Sequence, residues 1–274
     1  MSDRLVLTIL GSGCSSGVPR LGGADGAGDW GACDPTNPKN RRLRCSVLVE
    51  RHGPRGITRV LVDTSPDLRE QLLAAKVATL DAVLLTHDHA DQLHGLDDLR
   101  QVSHVIERRV PVFADPHCAH TVLERFGYCF QSPQGSPYPP IAELNVWPPS
   151  LPAFEIHGAG GPLPVQPFWQ EHGRIRSLGF RFGDLAYSPD VSALPEDAFK
   201  VLSGVDTWIV DALRHKPHPT HAHVALALEW IARVQPRHAV LTNLHQDLDY
   251  EVLKANLPDG IEPAFDGMRL SLPL

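Results

Sequence analysis

Long apolar runs are what this chain most conspicuously lacks. No segment approaches 18 uninterrupted apolar residues, and the N-terminal run Leu5–Leu10 spans only six. That is too short for a signal-peptide core or a membrane span and suits a first strand. An excess of positive charge is missing as well. Lys and Arg number 25 against 32 Asp and Glu, a net charge of −7, so a general nucleic-acid coat on a basic face is excluded, although a local anion site is not. Cysteine is sparse, odd in number and widely spaced: Cys14, Cys33, Cys45, Cys118 and Cys129 contain no CxxC pair. A disulfide framework is therefore not expected, and a reducing cytoplasm is. No internal repeat recurs at a fixed period. Gly and Pro together make up about 17% of the chain, below the roughly 25–30% that marks disorder. With 274 residues there is enough length for one large domain or two small ones, folded without staples.

What the chain has in quantity is histidine, 15 copies, all but His52 beyond position 86. In an acidic chain this points to metal or proton chemistry. Short β-branched runs alternate with turn residues and helical patterns. Strands are expected at Val6–Leu10, Ser46–Glu50, Arg59–Asp63, Ala82–Thr86, Val110–Ala114, Leu144–Trp147, Phe154–His157, Val165–Trp169, Leu178–Phe182, Leu185–Ser188, Thr207–Val210 and Ala239–Thr242. Helices are expected at Pro66–Ala75, Asp91–His104, Pro116–Phe126, Pro195–Leu202, His223–Val234 and Asp249–Asn256. Long loops occupy Gly11–Arg44 and Phe130–Pro140, and loops of that length usually serve a purpose. Composition does not shift along the chain, so the expectation is one domain, an α/β fold of two packed sheets with helices outside.

The most informative stretch runs Ala82-Val-Leu-Leu-Thr-His87-Asp88-His89-Ala90-Asp91-Gln92-Leu93-His94-Gly95. An apolar strand runs directly into a polar cluster, which places that cluster at the strand's C-terminal end. In extended chain His87 and His89 project to one side, and two neutral imidazoles suit zinc, whose nitrogen ligands sit at roughly 2.0–2.1 Å. Asp91 takes the next odd position, where a carboxylate holds a second cation or orients water. Asp91 also reads as the N-cap of the following helix.

Thr86–Gly95 resembles the HxHxDH signature of the metallo-β-lactamase superfamily of metal-dependent hydrolases. The resemblance extends over most of the chain, through Leu61-Val-Asp63-Thr-Ser-Pro-Asp67, Gln170-Glu-His172-Gly, Tyr187-Ser-Pro-Asp190, Thr220-His221 and Leu241-Thr-Asn-Leu-His245. The segments Gly11-Ser-Gly-Cys-Ser-Ser-Gly17-Val-Pro19-Arg20 and Phe265-Asp266-Gly267-Met268 look like the PhnP-like branch of cyclic phosphodiesterases. The resemblance implies an αββα sandwich of two mixed β-sheets and two divalent metal ions, zinc or manganese. The first ion would be held by His87, His89 and His172. Asp190 would bridge to a second, held by Asp91 and His245. A bridging ligand needs two oxygens, which Asp190 supplies. A hairpin turning at Gly183-Asp184 would return His172 and Asp190 to one end of a sheet.

This chain departs from the pattern after Asp91, where the family has histidine and Gln92 stands here, with His94 two residues on. Three outcomes stay open: Gln92 ligates, His94 substitutes, or the second site is weak. The paired cysteines of a structural zinc knuckle are absent, so none is expected, and Cys33 and Cys45 read as plain thiols.

In the resembling phosphodiesterases the histidine at the position of His221 protonates the leaving alkoxide; His218 and His223 compete for that role here, His223 as a helix-start residue. The implied reaction is hydrolysis of a small (cyclic) phosphodiester by a metal-bound hydroxide, with Asp91 and His221 as catalytic residues. Arg42 and Arg44 are equally readable as anion contacts or as a solvated loop. The net charge favours a compact substrate over a polyanion, with no membrane partner, and the resembling enzymes are homodimers. Three alternatives remain: a ribonuclease Z-like nuclease, for which no long basic arm is visible; a thioester, ester or lactam hydrolase; and a metal-binding sensor without turnover.

Overall fold

The computed structural model describes residues 3–132 and 134–274; Pro133, part of the loop expected at Phe130–Pro140, lies outside them. The chain carries two mixed β-sheets of seven strands each with helices between the strands in sequence. It divides into two compact units, one made of residues up to Leu10, Ser46–Pro164 and Arg269–Leu274, the other of Gly11–Cys45 and Val165–Met268.

The first unit contains β1 (Arg4–Gly11), β2 (Ser46–Gly53), β3 (Gly56–Val62), α1 (Leu68–Ala75), β4 (Ala82–Leu84), α2 (Ala90–Leu93), α3 (Leu99–Ile106), β5 (Val110–Ala114), α4 (Pro116–Phe130), β6 (Ala142–Val146) and β7 (Phe154–Ile156). The last strand, β14 (Arg269–Pro273), returns to this unit and pairs antiparallel with β1. β3, β4, β5 and β6 are consecutive parallel neighbours. Central parallel strands are covered on both faces, which is why β4 is apolar throughout and fully buried. Leu61, Val83, Leu85, Val112, Leu99 and Val122 belong to one buried core cluster.

The second unit contains β8 (Leu163–His172), β9 (Ile175–Phe182), β10 (Leu185–Ser188), α5 (Glu196–Leu202), β11 (Thr207–Asp211), α6 (Val224–Val234), β12 (His238–Thr242), α7 (Tyr250–Ala255) and β13 (Ile261–Pro263). β8, β9 and β10 form an antiparallel meander, and β10 through β13 run parallel. α6 buries Val224, Ala227, Trp230 and Ile231, a helical stripe, into a core with Trp208, Val210 and Leu241.

Two expectations require correction. The helix anticipated at Asp91–His104 is three pieces: α2, a 3₁₀ turn at Leu96–Asp98, and α3. The turn after β3 takes the backbone groups a continuous helix would use. Thr64 N donates to Gln92 O (2.8 Å), Thr64 Oγ1 to Leu93 O (3.1 Å), and Gly95 N to Thr64 O (2.8 Å). A Cβ at Gly95 would stand 2.0 Å from Ser65 O, so only glycine permits this approach. The C-terminal strands β13 and β14 were not expected. β14 buries alternate residues, but its partner β1 lies at the opposite end of the chain.

Candidate metal centre

In the first unit the polar cluster follows β4, at the C-terminal ends of parallel strands, where open α/β sheets bind ligands. Asp63, just past β3, holds a positive φ of 65°. Its buried carboxylate accepts Thr86 N (2.8 Å) and Thr86 Oγ1 (3.1 and 2.9 Å). Because that hydroxyl donates to Asp63, it accepts from His87 Nδ1, 2.9 Å away. The proton of His87 thus sits on Nδ1, and Nε2 is the ligand atom, the arrangement metal-binding histidines ordinarily have. The rings of His87 and His89 lie 4.6 Å apart. His89 is exposed and forms the N-cap of α2, the place expected for Asp91. Gln92 is fully buried, and its Nε2 donates to Asp91 Oδ2 (3.3 Å). His94 is exposed, its ring 5.6 Å from that of Phe126.

In the second unit the turn at Gly183-Asp184 forms as expected, with Leu185 paired to Phe182. His172, at the end of β8, and Asp190, just past β10, are both buried, with Nε2 and Oδ1 4.0 Å apart. His172 Nδ1 donates to Thr220 O (2.6 Å). A carbonyl can only accept, so Nε2 again is the ligand atom. His221 Nε2 lies 3.8 Å from Asp190 Oδ1, and the ligand atoms of His172, Asp190 and His221 all lie within 4.8 Å of one another. Burial pushes the Asp190 carboxyl up to about 6, against the opposing charge of His221; Asp211 adds to the rise and the Asn243 amide opposes it. Asp190 and Asn243 both hold positive φ, 45° and 63°, conformations that cost energy outside glycine and cluster at functional sites.

The residue that sequence reasoning missed is Asp211. Its fully buried Oδ2 accepts His221 Nδ1 (2.8 Å) and Val191 N (3.0 Å). The available signal was a carboxylate closing the apolar strand Thr207–Asp211. His218 Nδ1 accepts from Thr220 Oγ1 (3.2 Å), and burial lowers its pKa, with His221 and Arg214 adding to the effect. His223 is the N-cap of α6, as expected.

His245 is anchored differently from the other expected ligands: its N donates to Leu213 O (2.9 Å), and Nδ1 lies 3.2 Å from Asp247 Oδ2. Arg42 is neither an anion contact nor solvated. It is 1% exposed and donates to His245 O (3.1 Å), Leu248 O (2.6 Å) and Asn40 Oδ1 (3.1 Å). Arg44 is half-buried. The cysteines are buried thiols, Cys33 donating to Gln246 O (3.3 Å).

The donor set fits a divalent cation. In the first unit the buried His87 imidazole, and in the second the buried His172 imidazole, is fixed with Nε2 as the ligand atom, and the desolvated Asp190 carboxylate stands beside His172.

Residues 58–243 match the family model described as β-lactamase superfamily domain. The chain is similar to a crystal structure of a diphosphatase from the PhnP family, with 35% identity, coverage of 99% of this chain and 98% of that one, and a TM-score of 0.85. It shares its fold with Zn²⁺-bound PqqB from Methylobacterium extorquens (19% identity, 97% and 100% covered, TM-score 0.73). The same holds for the short form of human tRNase Z (16% identity, 98% and 100% covered, TM-score 0.65). A Porphyromonas gingivalis protein named octanoyltransferase is 32% identical over 265 residues, 95% of this chain and 50% of that protein, so this chain spans about half its length. The chain belongs to the β-lactamase superfamily and is a metal-dependent hydrolase with the metallo-β-lactamase fold.

Proposed function

We propose that the chain is a phosphoric diester hydrolase acting on a small (cyclic) phosphodiester. The observation that carries this reading is the His221–Asp211 pair. Asp211 accepts from Nδ1 at 2.8 Å, which holds the imidazole in one orientation and leaves Nε2 on the side of Asp190. An imidazole so held is suited to deliver a proton to a departing alkoxide, a need that phosphodiester cleavage creates. His87, His89 and His172 are assigned to a first divalent ion, zinc or manganese, Asp190 to a bridging place, and Asp91 and His245 to a second ion. When bound, such ions activate water as the nucleophile and offset charge developing on the phosphoryl oxygens. Asp91, tied to the Gln92 amide, orients the attacking water.

The test is turnover of bis-p-nitrophenyl phosphate with Zn²⁺ or Mn²⁺ supplied. His221→Ala is expected to lose roughly 10²–10⁴-fold in kcat while keeping its metal. Turnover of phosphodiester that survives this change unaltered removes His221 from the role.

A second reading is hydrolysis of an acyl ester or thioester, since half of a Porphyromonas gingivalis protein named octanoyltransferase matches this chain and fold and metals do not fix the substrate. Turnover of p-nitrophenyl octanoate without any of bis-p-nitrophenyl phosphate would favour it. The chain carries no excess of positive charge, with 25 Lys and Arg against 32 Asp and Glu, in keeping with a compact substrate. No helix among the described residues is long and apolar enough to cross a membrane. Five buried thiols suit a cytoplasmic location, and a homodimer is the assembly we assign, to be read by light scattering.

A further inference from the structure

We propose that Arg125 is a positioning residue for the His87–His89 pair, holding the peptide between them by the Asp88 carbonyl; the inference rests on the metal-binding role assigned to those histidines above. The regular ladder of β4 ends just before them. Leu85 N still bonds Phe113 O (2.9 Å), and Thr86 N turns away to Asp63 Oδ1 (2.8 Å). His87 is fixed from inside through Thr86, and His89 begins the four-residue helix α2. Between them, Arg125 Nη1 donates to Asp88 O at 2.7 Å.

The donor comes from a well-anchored element. α4 is capped by Asp115, which accepts His117 N and Cys118 N, and it buries Cys118, Ala119 and Val122. The guanidinium is balanced locally: Asp88 Oδ2 lies 4.0 Å from Arg125 Nη2 and 3.7 Å from His117 Nε2. The carboxylate is the looser contact and the carbonyl the tighter one. A charge-assisted hydrogen bond to a backbone carbonyl restrains the chain whatever the side chain at position 88. Ligand nitrogens must reach a metal within a few tenths of an ångström, so the peptide that joins two ligands separated by one residue governs whether both can do so.

Titration of the metal-free protein with Co²⁺, followed by its visible d–d absorption, reads this directly. Arg125→Ala is expected to weaken Co²⁺ binding roughly 10–100-fold, as loss of an outer-shell partner does, with the melting temperature of the metal-free protein unchanged. Arg125→Lys, which keeps a donor, restores most of the affinity, and Asp88→Ala leaves it close to the parent. Equal affinity in Arg125→Ala and the parent overturns the proposal. So does a loss in Asp88→Ala as large as that in Arg125→Ala, which would assign the effect to the ion pair. A fall in melting temperature that accompanies the lost affinity also overturns it, by making Arg125 a general structural support. A parent protein that binds no Co²⁺ overturns the metal-binding reading itself, and this one with it.

Discussion

His221 Nδ1 lies 2.8 Å from Oδ2 of Asp211, a side chain with no exposed surface at the end of the apolar strand β11. The same oxygen accepts Val191 N. The carboxylate therefore holds the imidazole and ties it to the segment carrying Asp190. If that orientation serves proton delivery, Asp211→Asn should lower kcat by roughly 10²–10⁴-fold with metal content retained. Steady-state kinetics paired with elemental analysis reads both, and unchanged kcat would dismiss the pair as structural.

Gln92→His should tighten the second cation. Imidazole is the better ligand for zinc than a neutral amide, and the substitution replaces a side chain that now donates to Asp91 Oδ2. Metal retained per chain after exhaustive dialysis is expected to rise. An unchanged count would mean that position 92 has no part in metal binding.

Arg42→Met should damage stability and not substrate affinity. Removing the guanidinium takes a charged donor from His245 O, Leu248 O and Asn40 Oδ1, which keep Leu248 N, Cys33 Sγ and Tyr250 N as partners, and each lost charge-assisted bond is worth about 1.5–3 kcal/mol. Urea denaturation should show a loss on the order of 3–5 kcal/mol, below the sum of three such bonds because each oxygen keeps a second donor. A raised KM at normal stability would return Arg42 to the role of anion contact.

Much of the fold was legible because local patterns and tertiary demands agree. The apolar run ahead of His87 and the β9–β10 turn at Gly183-Asp184 are examples, and the two unexpected histidine supports, Thr86 and Thr220, sit next to residues already singled out. What escaped was set by partners distant in sequence. Arg42 reads as a loop cation until the segment after β12 surrounds it with carbonyls. The break at Gly95 depends on the turn at Thr64–Ser65, some 30 residues earlier. Asp211 announced only a polar strand end; which histidine it holds is a matter of the loop between β11 and α6.

Asp266 makes stability depend on pH. Burial lifts its carboxyl to about 6 from 3.8, with the Leu43 and Ser12 donors and Arg42 opposing. A folded pKa above the unfolded one means that the folded chain binds the extra proton between about pH 4 and 6. The contribution of Asp266 to stability is therefore greatest below that window and declines as pH rises through it. The full shift corresponds to about 3 kcal/mol, an upper bound because the residue is half-buried. Denaturation midpoints of the parent and Asp266→Asn, compared from pH 4 to 7, should show the parent's advantage shrinking as pH rises. A constant difference would rule the titration out.

The most direct measurement is turnover of bis-p-nitrophenyl phosphate by chelator-stripped protein before and after Zn²⁺ or Mn²⁺ is restored, with metal per chain counted in the same samples. The account predicts that activity is lost on stripping and returns in proportion to bound metal. Turnover indifferent to bound metal, or a reloaded protein that holds metal and hydrolyses no ester of any kind, would contradict it.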